Sequence, residues 1–225
     1  MSTPVTISDQ YTGAVEPGGD AARRRVPGAT IVKVSVGPMD NNVYVVSDDS
    51  GRTLLIDAAN EPERILDVAR QVGGIEAIVT THRHPDHWFA LADVREALDV
   101  PSIAGVNDVE GIEAPVDRTL ADGERLVVGE LNLDVIELIG HTPGSVALAL
   151  TDDDGTVHLF SGDCLFPGGV GKTGDADAFT SLLDGVEEKV FDRYGDDTVV
   201  YPGHGKDTTL GTERPHLEEW RTRGW

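Results

Sequence analysis

Thr81-His82-Arg83-His84-Pro85-Asp86-His87 sets three histidines and an aspartate within six residues, between the apolar run Ala77-Ile78-Val79 and a segment with helical periodicity. Imidazole and carboxylate at this density are the ligand set of a borderline-hard metal such as zinc. Residues two apart in an extended loop project to the same side, so His82 and His84 can grip one ion together. Asp86 and His87 follow at the start of a helix; being adjacent, they point elsewhere, towards a second ion close by. A polar loop between strand and helix can hold such residues without a metal, so the motif needs confirming partners. Those partners must come from elsewhere in the chain.

Outward from this loop, the pattern is one of strands interleaved with helices. Upstream, Ile31 to Val36, Asn42 to Val46 and Thr53 to Ile56 read as strands, the last ending on Asp57. A carboxylate where a strand meets a loop is often only a helix cap, and the helical stretch Pro62 to Val72 follows. Downstream, Trp88 to Leu98 has helical spacing, Pro101 to Ala104 is a short strand, and Asn107 to Ile112 a turn or brief helix. Arg125 to Val128 with Leu131 to Leu138, and Val146 to Leu150 with Val157 to Phe160, form two hairpins. Phe179 to Phe191 is a last long helix and Thr198 to Tyr201 a last strand. Hairpins among alternating strands and helices predict an α/β fold with mixed sheets. Residues 1–28, with Pro17-Gly18-Gly19 and the basic run Arg23-Arg24-Arg25, read as a loosely ordered polar lead-in to a single domain over 29–225. The three arginines read as part of a solvated tail.

Bulk properties narrow the function. The 225 residues carry a formal net charge of −22, from 40 acidic and 18 basic residues, only four of them lysines. Such a surface repels phosphate backbones and excludes non-specific nucleic-acid binding. The single cysteine, Cys164, rules out an internal disulfide and fits a reducing cytosol. Met1 to Asp20 lacks the apolar stretch of a signal peptide, and no apolar run approaches bilayer length. The expectation is a cytoplasmic protein with neither a nucleic-acid nor a membrane partner; its oligomeric state is left open.

The other histidines fall informatively. Two more occupy strand-to-loop exits, Gly140-His141-Thr142-Pro143-Gly144 and Tyr201-Pro202-Gly203-His204-Gly205, and Ser161-Gly162-Asp163 is a third exit of this kind. In each, glycine beside a ligand-type residue lets backbone approach a shared centre. His158 and His216 lack such a setting and read as a strand residue and a surface residue.

As a set and in this order, the loop at 81–87, Gly140-His141-Thr142-Pro143-Gly144, Ser161-Gly162-Asp163 and Gly203-His204 resemble the successive motifs of the metallo-β-lactamase superfamily, with Asp57 where its first motif has an aspartate. The resemblance spans about residues 30 to 206. It implies a four-layer αββα sandwich of two mixed β-sheets, with two divalent metal ions at the rim between them: zinc first, iron or manganese as alternatives. It implies one metal on His82, His84 and His141, a second on Asp86, His87 and His204, and Asp163 bridging them. Asp57 would hold a histidine ligand's tautomer by hydrogen bonding.

Neighbouring strand residues face opposite ways, so only one of Asp163 and Cys164 can face the metals. The Ser-Gly-Asp match favours Asp163 and leaves Cys164 as a small core residue. Gly162-Asp163-Cys164-Leu165-Phe166 with Gly169-Val170-Gly171-Lys172 is similar to the glyoxalase II (hydroxyacylglutathione hydrolase) group, which places Lys172 on the thiol cofactor's carboxylate. Only about twenty residues follow His204, so the chain resembles compact members without the C-terminal helical domain. The implied activity is hydrolysis of an acylated small thiol, such as S-lactoylglutathione or an analogue, by a hydroxide bridging the two ions and oriented by Asp86. A lactonase on the same site, a mononuclear iron persulfide dioxygenase and a non-catalytic metal-binding protein are the competing expectations.

Overall fold

The computed structural model describes residues 4–224. Its first half runs β1 (Ile7–Ser8), β2 (Ala21–Val26), β3 (Ala29–Val36), β4 (Asn41–Asp48), β5 (Thr53–Ile56), α1 (Pro62–Val72), β6 (Ala77–Thr80), α2 (Leu91–Leu98), β7 (Ser102–Gly105) and β8 (Arg118–Leu120). These eight strands form one sheet in chain order. The second half runs β9 (Arg125–Val128), β10 (Leu131–Glu137), β11 (Val146–Thr151), β12 (Val157–Gly162), a small ribbon of β13 (Leu165–Phe166) and β14 (Gly169–Val170), α3 (Ala176–Val186), β15 (Val199–Pro202), β16 (Thr208–Thr209), α4 (Leu210–Glu213) and α5 (Leu217–Arg223). Its main sheet is ordered β16-β15-β12-β11-β10-β9. Both sheets mix parallel and antiparallel pairs, as the sequence predicts.

Three apolar interfaces account for four layers. Between the sheets, Ile31, Val46, Ile56 and Val79 meet Leu133, Leu148, Phe160 and Tyr201. The alternate residues Val45, Leu55 and Ile78 face outward and are covered by Ile65 and Val68 of α1 and by Leu91 and Val94 of α2. On the far side Ala149, Leu159 and Val200 are covered by Leu182, Leu183 and Val186 of α3 and by Trp220 of α5. Helix α1 stops where Gly73, at φ 95, donates its N–H to the Ala69 carbonyl.

Strand direction positions the site. β10 and β12 both lie antiparallel to β11, so they run the same way, and β15 is parallel to β12. Their carboxyl ends therefore open at one edge of the second sheet. β5 and β6 are also parallel, so Asp57 and the histidine loop leave the first sheet side by side.

Several expectations are corrected. The lead-in is ordered from β1 onward, and β2 is paired along its length with β3. Its arginines dock on the protein's own surface: Arg23 and Arg25 pair with Asp9, and Arg24 lies over the Tyr11 ring. Three consecutive charges hide strand alternation, and a partner strand supplied the missing energy. Helix α2 begins at Leu91, not Trp88, because Pro85–His87 is taken up by one tight 3₁₀ turn. The helix over Phe179 to Phe191 starts earlier, at Ala176 behind the capping Asp175 side chain, and its last five residues widen into a π turn.

Candidate metal centre

Asp57, buried at the end of β5, adopts φ 61, a left-handed conformation unusual for a side chain other than glycine or asparagine. That turn aims its carboxylate across to the neighbouring strand exit. Oδ1 accepts the Thr81 backbone N–H at 2.7 Å; Oδ2 accepts the Thr81 hydroxyl at 2.8 Å and His87 Nδ1–H at 2.8 Å. Because the Thr81 hydroxyl has spent its proton on Asp57, it accepts from His82 Nδ1–H, 3.0 Å away. One carboxylate thus fixes two ring tautomers, one directly and one through Thr81.

The other rings are fixed by carbonyls, which only accept. His141 donates Nδ1–H to the Lys172 carbonyl at 2.7 Å, and His204 donates Nδ1–H to the Met39 carbonyl at 2.9 Å. Four histidines therefore turn Nε2 towards a common centre, and His84 presents Nδ1 there instead.

The inward-facing atoms form two triangles. His82 Nε2, His84 Nδ1 and His141 Nε2 lie 3.1, 2.9 and 3.3 Å apart. His87 Nε2, His204 Nε2 and Asp86 Oδ2 lie 3.3, 3.3 and 3.5 Å apart. Ligands placed tetrahedrally ~2.0–2.1 Å from one ion stand ~3.3 Å from each other. In the first triangle lone pairs face lone pairs and cannot hydrogen-bond to one another; in the second the imidazoles can share protons with the carboxylates. A cation at either would serve all three corners at once. Asp163 lies between, with Oδ1 3.4 Å from His87 Nε2 and Oδ2 3.6 Å from His141 Nε2 and 3.5 Å from His204 Nε2. Asp163 Oδ1 is buried without a hydrogen-bond partner, an expensive condition that a cation would relieve. The donor set and its spacing fit two divalent ions. Gly203 makes room for this, since a Cβ there would run into Asp163 Oδ1 and His87 Cε1.

Electrostatics differ across the cluster. Burial, reinforced by neighbouring imidazoles, holds His82 and His84 below the usual imidazole range. Burial also opposes charge on His87, but Asp57 and Asp163 outweigh it and raise its pKa to about 10. His204 is raised to about 10 as well, its burial outweighed by Asp163 and Asp86. Burial would raise Asp86 and Asp163, yet the imidazoles around them, with Asn41 on Asp86, hold both far below the ordinary carboxylate range.

The first sheet also grips the His204 loop. Asn41 donates to Asp86 Oδ2 at 2.8 Å and stands 3.4 Å from His204 Nε2. Asn42 donates to the Pro202 and Gly205 carbonyls, and the Tyr44 hydroxyl donates to Pro202. Lys33, fully buried in β3, gives its three protons to Gly13 O, Gly205 O and Asp207 Oδ1 at 2.7–2.8 Å. Tyr11 completes the knot on Asp207 Oδ2 at 2.6 Å.

All seven residues expected from the sequence as ligands, His82, His84, Asp86, His87, His141, Asp163 and His204, come together, with Asp57 behind them. Cys164 faces away into the core under α3, and burial pushes its thiol well up. His158 is a buried strand residue bonded to the Tyr201 hydroxyl and Asp152, and His216 is on the surface. Lys172 is exposed, and its carbonyl rather than its ammonium meets the cluster. Sequence reasoning missed Asn41, the Thr81 relay and the Lys33 knot. The only signal was the polar pair Asn41-Asn42 at the mouth of an otherwise apolar strand.

A family model described as the metallo-beta-lactamase superfamily matches residues 36–204. The chain is 33% identical over 205 residues to the probable metallo-hydrolase YqgX of Bacillus subtilis, covering 81% of this chain and 93% of that one. It is 34% identical over 176 residues to a hydroxyacylglutathione hydrolase of Rhizobium etli, covering 78% of this chain and 65% of the relative. Among solved structures, TTHA1623 in a di-iron-bound form is 35% identical with a TM-score of 0.67, over 81% of this chain and 96% of that one. Among the described residues no helix is long and apolar enough to cross a membrane. With its two mixed sheets, flanking helices and histidine cluster at the sheet edge, the chain belongs to the metallo-β-lactamase superfamily.

Proposed function

We propose that this protein is a dinuclear metal-dependent hydrolase of acylated small thiols, S-lactoylglutathione or an analogue. The observation that carries the reading is the convergence of His141, Asp163 and His204, from three strand exits, on the 82–87 loop at coordination spacing. His82, His84 and His141 would hold one ion, Asp86, His87 and His204 the other, and Asp163 would serve both. Zinc is the first assignment for this donor set, and iron or manganese suits it too; similarity to a di-iron-bound protein keeps iron in the test. Similarity to hydroxyacylglutathione hydrolases supports the thioester.

Bound ions of this kind polarise a carbonyl oxygen and make water acidic enough to attack it near neutral pH. The chain's own contribution is orientation. Asp86 stays ionised although burial opposes it, because His204 and Asn41 hydrogen-bond to it, and it can accept a hydrogen bond from the attacking water and so aim it. Asp57 keeps His82 and His87 in the tautomer that offers Nε2. Lys172, beside His141, meets a carboxylate of the thiol carrier. The reaction takes place in the cytoplasm, a compartment that suits a single buried thiol.

Metal analysis of the purified protein, with a panel of thioesters and lactones, tests the reading. Two ions per chain and preferred thioester hydrolysis are expected. A lactone preference moves the assignment to an ester hydrolase on the same site, and full metal occupancy without hydrolysis of either class overturns it.

A further inference from the structure

We infer that, among the acylated thiols proposed above, the preferred substrate is an analogue whose acyl half is apolar in place of lactoyl and lies in a groove beside His84; this rests on the hydrolase reading above. Five large apolar side chains are exposed among the described residues: Met39, Phe89, Val106, Val127 and Ile139. Three of them belong to the loops that carry the candidate ligands or hold them. The Met39 carbonyl holds His204, Phe89 lies two residues after His87, and Ile139 two residues before His141. Of these, Phe89 also lines a groove, and an exposed apolar side chain beside a groove marks a binding site more often than one standing alone does.

A groove of about 660 Å³ starts at His84 and is floored by Pro85, Trp88, Ala92 and Ala114, with Phe89 standing 69% exposed at its edge. Trp88 is fixed there because its Nε1–H donates to the Arg83 carbonyl at 2.8 Å, while its ring packs against the outer core. Arg83 and Glu113 supply the only charged groups among the groove's lining residues, and the Arg83 side chain lies across Gly111 towards Asp108. A groove that shares a wall with a candidate metal ligand, and whose floor offers stacking and dispersion but few hydrogen bonds, suits a hydrocarbon chain or ring and not a polyhydroxylated acyl group. The volume accommodates a medium-length chain.

The test uses metal-loaded protein and one thiol carrier with acetyl, butanoyl, hexanoyl and octanoyl groups. Each methylene moved out of water is worth up to ~4-fold, so an octanoyl-to-acetyl ratio in kcat/KM of at least ~10 is expected. In Phe89→Ser, an exposed position that leaves the core intact, the ratio should collapse towards one. Tryptophan emission gives a second readout: an S-octyl thioether that cannot be hydrolysed should change it in the wild type and not in Trp88→Phe. Thioester hydrolysis with no chain-length dependence overturns this inference and leaves the hydrolase reading standing. No hydrolysis at all overturns that reading, and the thioether titration then decides the groove separately. A Phe89-dependent dimer in sedimentation would show that a second copy occupies the groove, and would also overturn the inference.

Discussion

The two halves of the cluster are built differently. In the first half His82 is set by the hydroxyl one residue away, itself held by Asp57, and His141 by a carbonyl on the adjoining loop. His87 and Asp86 are set by Asp57 and Asn41 of the sheet their own loop leaves, and His204 is held from across the sandwich by the Met39 carbonyl. Charge follows the same division. His82 and His84 are kept neutral by burial, whereas His87 and His204 are pulled up to about 10 by the carboxylates around them. The first half offers lone pairs ready for a cation; the second holds protons that a cation must displace. Loading should therefore be sequential at neutral pH, first half before second.

The most severe way to break this comparison is Asp163→Ala, which removes the carboxylate that lies against imidazoles of both halves and should abolish hydrolysis and empty both positions. His84→Ala should also abolish hydrolysis while keeping metal in the second half, a distinction that metal-to-protein ratios read directly. Equal losses in the two variants would mean that the halves do not load independently.

A pH series sharpens the electrostatic contrast. The raised pKa values of His87 and His204 give the metal-free protein stability that is fully present below pH 6.5 and is lost as pH rises towards 10. Over the same window metal affinity should rise, by up to ~10-fold per pH unit for each displaced proton. Chelated and loaded protein should thus respond to pH in opposite directions in thermal unfolding between pH 6.5 and 9. Calorimetry of metal binding in buffers of different ionisation enthalpy should find protons released chiefly by the second equivalent.

Asp57→Ala should weaken both ions by about 10–100-fold, because it frees two rings at once. Asn41→Ala should weaken only the second ion, by about 10-fold on the same footing, leaving the first equivalent unchanged in a competition titration. The smallest effect belongs to Lys172→Ala, a few-fold rise in KM for carboxylate-bearing thioesters with kcat retained. Its backbone carbonyl, and therefore His141, is untouched by that substitution.

The parts of this centre that were legible in sequence are those whose signal is local. A histidine loop after an apolar strand, and glycine beside His141, Asp163 and His204, can each be read within a few residues. The choice between Asp163 and Cys164 came from the Ser-Gly-Asp match; strand alternation said only that one of the two would face the centre, and the strand in fact ends at Gly162. The supports were not legible, because they are contacts between distant segments. Lys33 sits in Ile31-Val32-Lys33-Val34, where nothing nearby says that an ammonium will be buried, and its carboxylate partner is 174 positions away. Ala21–Val26 became a strand through pairing with Ala29–Val36, against the look of its three arginines. Arg118–Leu120 is three residues long and its strand character comes only from lying beside Ser102–Gly105.

The Lys33 knot also has a bearing on how the molecule is made. Tyr11, Gly13, Lys33, Gly205 and Asp207 meet on one ammonium and one carboxylate, although Tyr11 and Asp207 are 196 positions apart. During synthesis the early segment must wait for the late one before either finds its partner. The loop bearing His204 should accordingly be among the last to settle, leaving a nascent chain able to hold a first cation well before a second.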